Sequence, residues 1–269
     1  MVKQAIIPLA GLGTRMLPLS KAFPKELWPL GSNSILEKIL DECFEAGIQE
    51  VIFVISKKKN SIKKYFLKDR SLEKKIKNKP DIFAKLKKLN QLSKKIKFVY
   101  QNNPKGLGHA VLCAKKAIKS KYFLLVLPDD IIIKKNCTKE LISLHKKNNS
   151  SVIALRKVMK KEVSRYGIVG LNNSNHKIKQ MIEKPSLKKA PSQYAIIGRY
   201  LLNKSIFQYL EKQQKGKLGE IQITDAMNAM LINENFFGCK FKGKYLDCGT
   251  INGYINSFIE INKSWKYAL

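Results

Sequence analysis

The sequence predicts an α/β fold in which a mixed, mostly parallel central sheet carries helices on both faces. Three observations lead there. Short runs of branched apolar residues alternate with longer amphipathic stretches along the first half of the chain, the order expected of strands joined by helical crossovers. Those runs are apolar at almost every position, as strands covered on both sides must be. Apolar residues make up 44% of 269 positions, enough to fill such a core.

Taken in order, residues 2–9 read as a buried strand that leads into a glycine-rich loop. Residues 34–46 are amphipathic, with Ile35, Leu36, Ile39, Leu40 and Cys43 on one face, and Gly47 ends the helix. A second strand over 51–55 and a second helix over 62–67 follow. Residues 96–101, 110–118 and 122–127 repeat the order strand, helix, strand. The second half predicts strands at 151–158, within 168–182 around Asn-rich turns, at 195–202 and at 239–246, with a helix over 221–232. Linker composition and internal repeats are absent, so residues 1–269 are expected to form one domain. A Lys-rich helical insertion is expected near 70–95, and a C-terminal helical segment from about residue 250.

Composition excludes several classes. No window approaches the ~20 uninterrupted apolar residues of a membrane span, and the first apolar run is too short for a signal peptide. The five cysteines form no C-x-x-C pair and the three histidines are scattered, which argues against a disulfide framework and a structural zinc. A cytoplasmic protein with reduced thiols, without a membrane partner, is the expectation. Fifty-two basic residues against 20 acidic give a net charge of +32, yet only five are Arg. Base and phosphate recognition favours the forked guanidinium. The densest stretch, residues 56–95, carries 16 basic and 3 acidic residues but few aromatics for stacking. A specific nucleic-acid partner is therefore not expected.

The strongest local signal follows the first strand. Residues 9–18 read L-A-G-L-G-T-R-M-L-P, a turn whose glycines expose backbone N–H groups while Arg15 supplies a cation. The third glycine of a dinucleotide fingerprint is replaced by Met16, and the P-loop pattern is missing. Lys21 and Lys25 follow closely, so a polyphosphate suits the loop.

Together, G-x-G-T-R-x-x-P at 11–18 and P-K-E-x-x-P at 24–29 resemble the sugar nucleotidyltransferase family, in its bacterial UTP–glucose-1-phosphate uridylyltransferase branch. Further blocks occur in the family order. They are P-K-G-L-G-H-A-V-L at 104–112, L-P-D-D at 127–130, R-Y-G-I-V at 165–169, E-K-P at 183–185, A-I-I-G-R-Y at 195–200, G-E-I-Q-I-T-D-A at 219–226 and D-C-G at 247–249. Arg15, Arg165 and Arg199 fall inside these blocks in a chain that otherwise uses Lys. Residues 70–95 match the family poorly, and the chain stops soon after Trp265, where family members carry further residues.

The resemblance implies a Rossmann-like, nucleotide-diphospho-sugar transferase-like fold. It implies that an oxygen of glucose 1-phosphate attacks the α-phosphorus of UTP, giving UDP-glucose and pyrophosphate. It places Arg15 and Lys25 on the triphosphate as catalytic cations, and Ala10, Gly11, Gly13, Thr14, Glu26, Gln101 and Gly106 around the nucleotide. Gln101 would read the uracil edge with one donor and one acceptor. Gly167, Glu183 and Lys184 would receive the sugar phosphate, and Asp129 and Asp247 would hold Mg2+. Asp130 is assigned to turn chemistry or an N-cap, and His109 to a structural partnership. The attacking phosphate oxygen is already ionised, so no general base is required. A homo-oligomer, dimer or tetramer, is also implied. Two alternatives stay open at this level: a dTTP-using glucose-1-phosphate thymidylyltransferase, and a non-catalytic sugar-nucleotide-binding subunit.

Overall fold

Alternation along the first strand sets the architecture. In the computed structural model, which describes residues 2–172, 175–213 and 219–263, Ala5, Ile7 and Leu9 pack into one buried cluster while Ile6 packs into another on the opposite face. Successive side chains of a strand point to opposite sides, so a strand covered on both faces needs apolar residues at every position. The elements in chain order are β1 (Gln4–Pro8), β2 (Pro29–Leu30), β3 (Asn33–Ser34), α1 (Ile35–Glu45), β4 (Glu50–Ile55), α2 (Asn60–Phe66), α3 (Arg70–Ile76), α4 (Pro80–Ser93), β5 (Ile96–Tyr100), α5 (Leu107–Cys113) and β6 (Tyr122–Val126). There follow β7 (Asp130–Ile133), α6 (Cys137–Asn148), β8 (Ser151–Lys157), β9 (Gly167–Leu171), β10 (Ile178–Glu183), β11 (Tyr194–Asn203), α7 (Ile206–Lys212), α8 (Ile223–Met230), β12 (Phe236–Cys239), β13 (Lys244–Asp247) and α9 (Ile251–Asn262).

β1 lies between β4 and β6 and runs parallel to both, and β5 adds a further parallel strand beyond β4. On the other side of β6 the sheet turns antiparallel through β11 and the β9–β10 hairpin. β8 pairs with β11, and β12 runs parallel to β8. Helix α1 covers one face with Ile35, Leu36, Ile39, Leu40 and Cys43, and α5, α7 and α8 cover the other with Val111, Phe207, Leu210 and Met227. The start of α1 is fixed by a capping box: Ser34 Oγ accepts from the Glu37 N–H at 3.2 Å, and Glu37 Oε2 accepts from the Ser34 N–H at 2.8 Å.

A buried ion pair joins the two halves of this apolar frame. Arg199 on β11 is fully buried and forks onto Glu42 of α1, with Nη2 at 2.8 Å from Oε2 and Nε at 3.1 Å from Oε1. Glu42 also accepts from the Thr138 N–H and hydroxyl at the head of α6. Arg199 Nη1 donates to the carbonyls of Gly198 and Leu127. A single ion pair thus ties α1, α6 and β11 to the end of β6. Burial pushes the Glu42 carboxyl up, but the Arg199 charge and the hydrogen bonds outweigh it and hold the group below its ordinary range.

Several sequence expectations change. The strand expected over 239–246 holds only at its two ends: Cys239 closes β12 in the large sheet, residues 240–243 are not strand, and β13 pairs antiparallel with β7. Gly243 lies at the break, where a Cβ would stand 2.4 Å from Ile132 Cγ2. The helix expected over 110–118 is α5, starting earlier at Leu107, followed by a separate 3₁₀ turn at Lys115–Ala117. Helices α6 and α7 and strand β7 were not read from the sequence. The Lys-rich stretch forms α3 and α4, which pack on each other, and α4 also meets α2. Among the described residues no helix is long and apolar enough to cross a membrane. Trp265, the marker for the C-terminal departure, lies outside the described residues.

Replacing Arg199 with Met would leave Glu42 charged and without its main partner in the core. Loss of one member of a buried pair costs about 3–5 kcal/mol, and urea unfolding of Arg199→Met is expected to show a loss of that size. Because the Glu42 pKa is lowered in the folded state, its contribution is present above the ordinary carboxylate range and disappears on acidification. The gap between wild type and variant therefore narrows as pH falls.

Candidate active site

The site begins where β1 ends. Gly13 adopts a left-handed conformation, φ +67°, and turns the chain into the short 3₁₀ segment Thr14–Met16. Met16 is buried beneath it and anchors the loop, while the Arg15 side chain projects and is 65% exposed. The Ser20 hydroxyl closes the turn by donating to the Gly13 carbonyl at 2.9 Å.

At the carboxyl end of β6 the chain passes through Asp129 and enters β7. Asp129 Oδ2 accepts from Lys25 Nζ at 2.8 Å and lies 3.6 Å from Arg15 Nη2. Burial raises the Asp129 pKa, but the charges of Lys25 and Arg15 prevail and hold the carboxyl below its usual range. β7 and β13 pair in a register that sets Asp130 opposite Asp247 and brings the second carboxylate alongside. A Cβ built on Gly249 would stand 3.0 Å from Asp129 Oδ2 and 3.1 Å from Asp247 Oδ1, so both acids converge on that glycine. The Gly249 N–H donates to Asp247 Oδ1 at 2.7 Å. Among the described residues no cluster of three or more His, Cys, Asp or Glu could hold a metal. Two hard oxygen donors in a cleft that also carries Arg15 and Lys25 are a donor set that fits a hard divalent cation completing its shell with oxygens from elsewhere.

Asp130 is neither an N-cap nor a solvated turn residue. Its Oδ2 accepts from the Gly198 N–H at 2.8 Å and its Oδ1 from the Tyr245 hydroxyl at 2.6 Å. Burial, then the adjacent Asp129 charge, push its carboxyl up to about 6. It braces β7 against β11 and β13.

Two cavities meet at Arg15 and Asp129. The larger, about 580 Å³, is lined by Ala10, Gly11, Gly13, Thr14, Lys25, Glu26, Gln101 and Gly106, with Arg15 and Asp129 at one end. Every residue that the family resemblance puts around the nucleotide borders this space. The smaller, about 220 Å³, is lined by Gly167, Glu183, Asp247, Arg165 and Thr224, again with Arg15 and Asp129. Lys184 lines neither cavity; its side chain is half exposed and stands 4.0 Å from Glu183. Arg199 does not reach the cleft, and the structural ion pair accounts for its guanidinium.

Gln101, just beyond β5 and only 3% exposed, lines the larger cavity. Its Nε2 is shared between the Gly106 carbonyl, 3.3 Å away, and His109 Nδ1, 2.8 Å away. Both amide hydrogens are therefore committed inside the protein, which leaves the carbonyl oxygen free to meet a ligand, one group where the sequence leads one to expect two. Glu26 forms a buried pair with Lys59, Nζ to Oε1 2.7 Å, while its Oε2 is buried without a hydrogen-bond partner among the described residues. Lys59 closes a K-K-K run that reads as solvated surface, and nothing in the sequence marks it as buried. In the smaller cavity, Glu183 Oε2 accepts from the Thr224 hydroxyl at 2.7 Å. A Cβ at Gly167 would approach Ile196, Glu183 and Thr224 to 3.1–3.3 Å, so glycine keeps that wall open. Thr224 lies within the I-Q-I-T-D-A block, which was the available signal for it.

The model of the nucleotidyl transferase family matches residues 4–264. The chain belongs to that family. Among relatives of this nucleotidyl transferase, the UTP–glucose-1-phosphate uridylyltransferase of Bacillus subtilis (strain 168) is 40% identical over 265 residues, covering 96% of this chain and 90% of its own. A crystal structure of UDP-glucose pyrophosphorylase complexed with UDP-glucose superposes with a TM-score of 0.87 at 34% identity, covering 98% of this chain and all of that one. The UTP-bound enzyme of Acinetobacter baumannii gives 0.88 at 32% identity, covering 98% and 94%.

One wall of the larger cavity depends on a close approach between the first turn of α5 and the loop that precedes α8. The Gly108 N–H donates to the Ile221 carbonyl at 2.8 Å, and a Cβ at Gly108 would stand 2.7 Å from that same oxygen. Gly108→Ala is expected to cost about 1–3 kcal/mol in urea unfolding, because backbone must move to admit the methyl group.

Proposed function

We propose that this nucleotidyl transferase makes UDP-glucose and pyrophosphate from UTP and α-D-glucose 1-phosphate. The observation that carries the proposal is the junction of the two cavities at Arg15 and Asp129, where a nucleoside triphosphate and a sugar phosphate would meet end to end. The relatives named above act as uridylyltransferases or bind UTP or UDP-glucose, which supports UTP as the nucleotide.

The uridine would occupy the larger cavity, with its base against Gln101 and the backbone of Ala10, Gly11 and Gly106. The unpartnered Glu26 oxygen would accept from a ribose hydroxyl, which removes the cost of leaving a buried acceptor unpaired. Gly13 and Thr14 turn backbone toward the phosphates, and Arg15 and Lys25 oppose their charge. Glucose 1-phosphate would enter the smaller cavity, its hydroxyls donating to Glu183, with Arg165 on the wall and Lys184 reaching its phosphate.

The reaction forms one bond, from a phosphate oxygen of the sugar to the α-phosphorus, and breaks one, from that phosphorus to the oxygen bridging to the β-phosphate. The electron pair leaves on pyrophosphate. The attacking oxygen is ionised at neutral pH, so the protein's task is alignment and charge stabilisation rather than proton removal. Arg15 bridges both cavities and suits the oxygens of both phosphates through its forked donors. Lys25 is a compact charge near the α-phosphorus and keeps Asp129 ionised. Asp129 and Asp247 would hold Mg2+, which when bound neutralises phosphate charge between the reactants. The enzyme would be cytoplasmic, in keeping with the five free cysteines among the described residues.

Mixing the protein with UTP, glucose 1-phosphate and Mg2+ is expected to yield UDP-glucose and pyrophosphate in equal amounts, with little product after chelation. A parallel reaction with dTTP separates the thymidylyl alternative, which faster turnover of dTTP would establish. Absence of pyrophosphate with either nucleotide would leave a binding protein. Lys25→Ala is expected to lower kcat/KM by roughly 10²–10³-fold with the circular-dichroism spectrum retained, since it removes charge stabilisation at the reacting centre rather than core. Full activity in that variant would move Lys25 out of the mechanism.

A further inference from the structure

The amide of Gln101 is not free to turn. The Gly106 carbonyl can only accept a hydrogen bond, so the group facing it at 3.3 Å is the amide NH₂ rather than its oxygen. The same nitrogen lies 2.8 Å from Nδ1 of His109, which must then present a lone pair. The ring proton is left on Nε2, 3.9 Å from the sulfur of Cys113 one turn further along α5. Burial, and then the charge of Lys105, hold the His109 pKa below its ordinary range and favour the neutral ring, the state in which Nδ1 accepts.

We propose that His109 is a specificity-determining positioning residue, which locks the Gln101 amide with its carbonyl oxygen toward the base, so that the site demands an N–H at the ring position it faces. The proposal rests on the base being read at Gln101, as the functional reading places it. Uracil carries an N–H at N3. Cytosine carries a lone pair there, which would meet the amide oxygen with repulsion. An unrestrained glutamine could rotate its terminal amide by half a turn and satisfy either base, and the histidine removes that freedom. Discrimination then comes from a fixed repulsive contact against cytosine as well as an attractive one toward uracil. The 5-methyl of thymine lies outside this contact, so the lock does not separate UTP from dTTP.

The test compares kcat and KM for UTP and CTP at saturating glucose 1-phosphate in wild type, His109→Phe, His109→Leu, His109→Asn and Gln101→Ala. Phe and Leu cannot accept from Gln101. Asn places Oδ1 the same number of bonds from the backbone as Nδ1 of histidine and can accept. The Phe and Leu variants are expected to lose roughly tenfold or more of the UTP-over-CTP ratio of kcat/KM, mainly through KM, with kcat for UTP largely kept. The Asn variant is expected to restore most of the ratio, which a merely structural role for the ring would not produce. An unchanged ratio in both Phe and Leu, with Gln101→Ala still lowering it, overturns the lock while leaving the base site in place. An unchanged ratio in Gln101→Ala removes the base site itself and the lock with it.

Discussion

Asp129 meets Lys25 and Arg15 at the carboxyl end of β6, and the cleft is organised around that contact. A site for two polyanions needs cations, and cations held close together repel one another and draw in counterions. A carboxylate among them balances that charge and fixes both side chains. The two cations in turn keep the carboxylate ionised despite partial burial. Since Arg15 and Asp129 line both cavities and Lys25 lines the larger, the arrangement that holds these side chains in place also presents charge where phosphate would arrive.

Holding that contact is the work of distant parts of the chain. β7 and β13 pair away from the large sheet, and their register brings Asp247 beside Asp129. Asp130, one residue on, turns inward to Tyr245 and Gly198 and fixes the direction in which β7 leaves β6. Beneath it, Arg199 and Glu42 join α1, α6 and β11 through one buried fork. Adjacent acids therefore have opposite assignments: Asp129 faces the cleft and its cations, whereas Asp130 is committed to the scaffold.

Much of this was legible in the sequence, for identifiable reasons. Strands β1, β4, β5 and β6 could be read because burial on both faces demands unbroken apolar runs, and α1 because its capping residue and terminal glycine mark its ends. Helix α6 escaped because its polar face, with His145, Lys146 and Lys147, dilutes a short apolar stripe. The strand expected over 239–246 breaks because Cys239 and the residues from Lys244 onward join different sheets, a tertiary choice with no local signal. For the cleft, motif order supplied the border of both cavities. It did not supply Lys59 against Glu26, nor the commitment of the Gln101 amide to His109, because both are contacts between segments whose residue types look ordinary alone. Arg199 is the complementary case: it lies inside a family block in a lysine-rich chain, yet its fork serves a buried carboxylate rather than the cleft.

The net charge of +32 bears on this last point. Charge spread over exposed lysines is screened within about 10 Å at ordinary ionic strength, so it raises the local concentration of anions without choosing where they sit. Position is chosen by cations whose geometry is fixed. Lys25 is buried against Asp129 and Lys59 against Glu26, while Arg15 is carried on a loop anchored by Met16. The buried lysines differ from the surface ones in having a carboxylate that sets their position, and each of those carboxylates borders the larger cavity. An abundance of lysine therefore attracts polyanions in general, whereas a few acids, by fixing individual cations, determine which polyanion can be aligned for reaction.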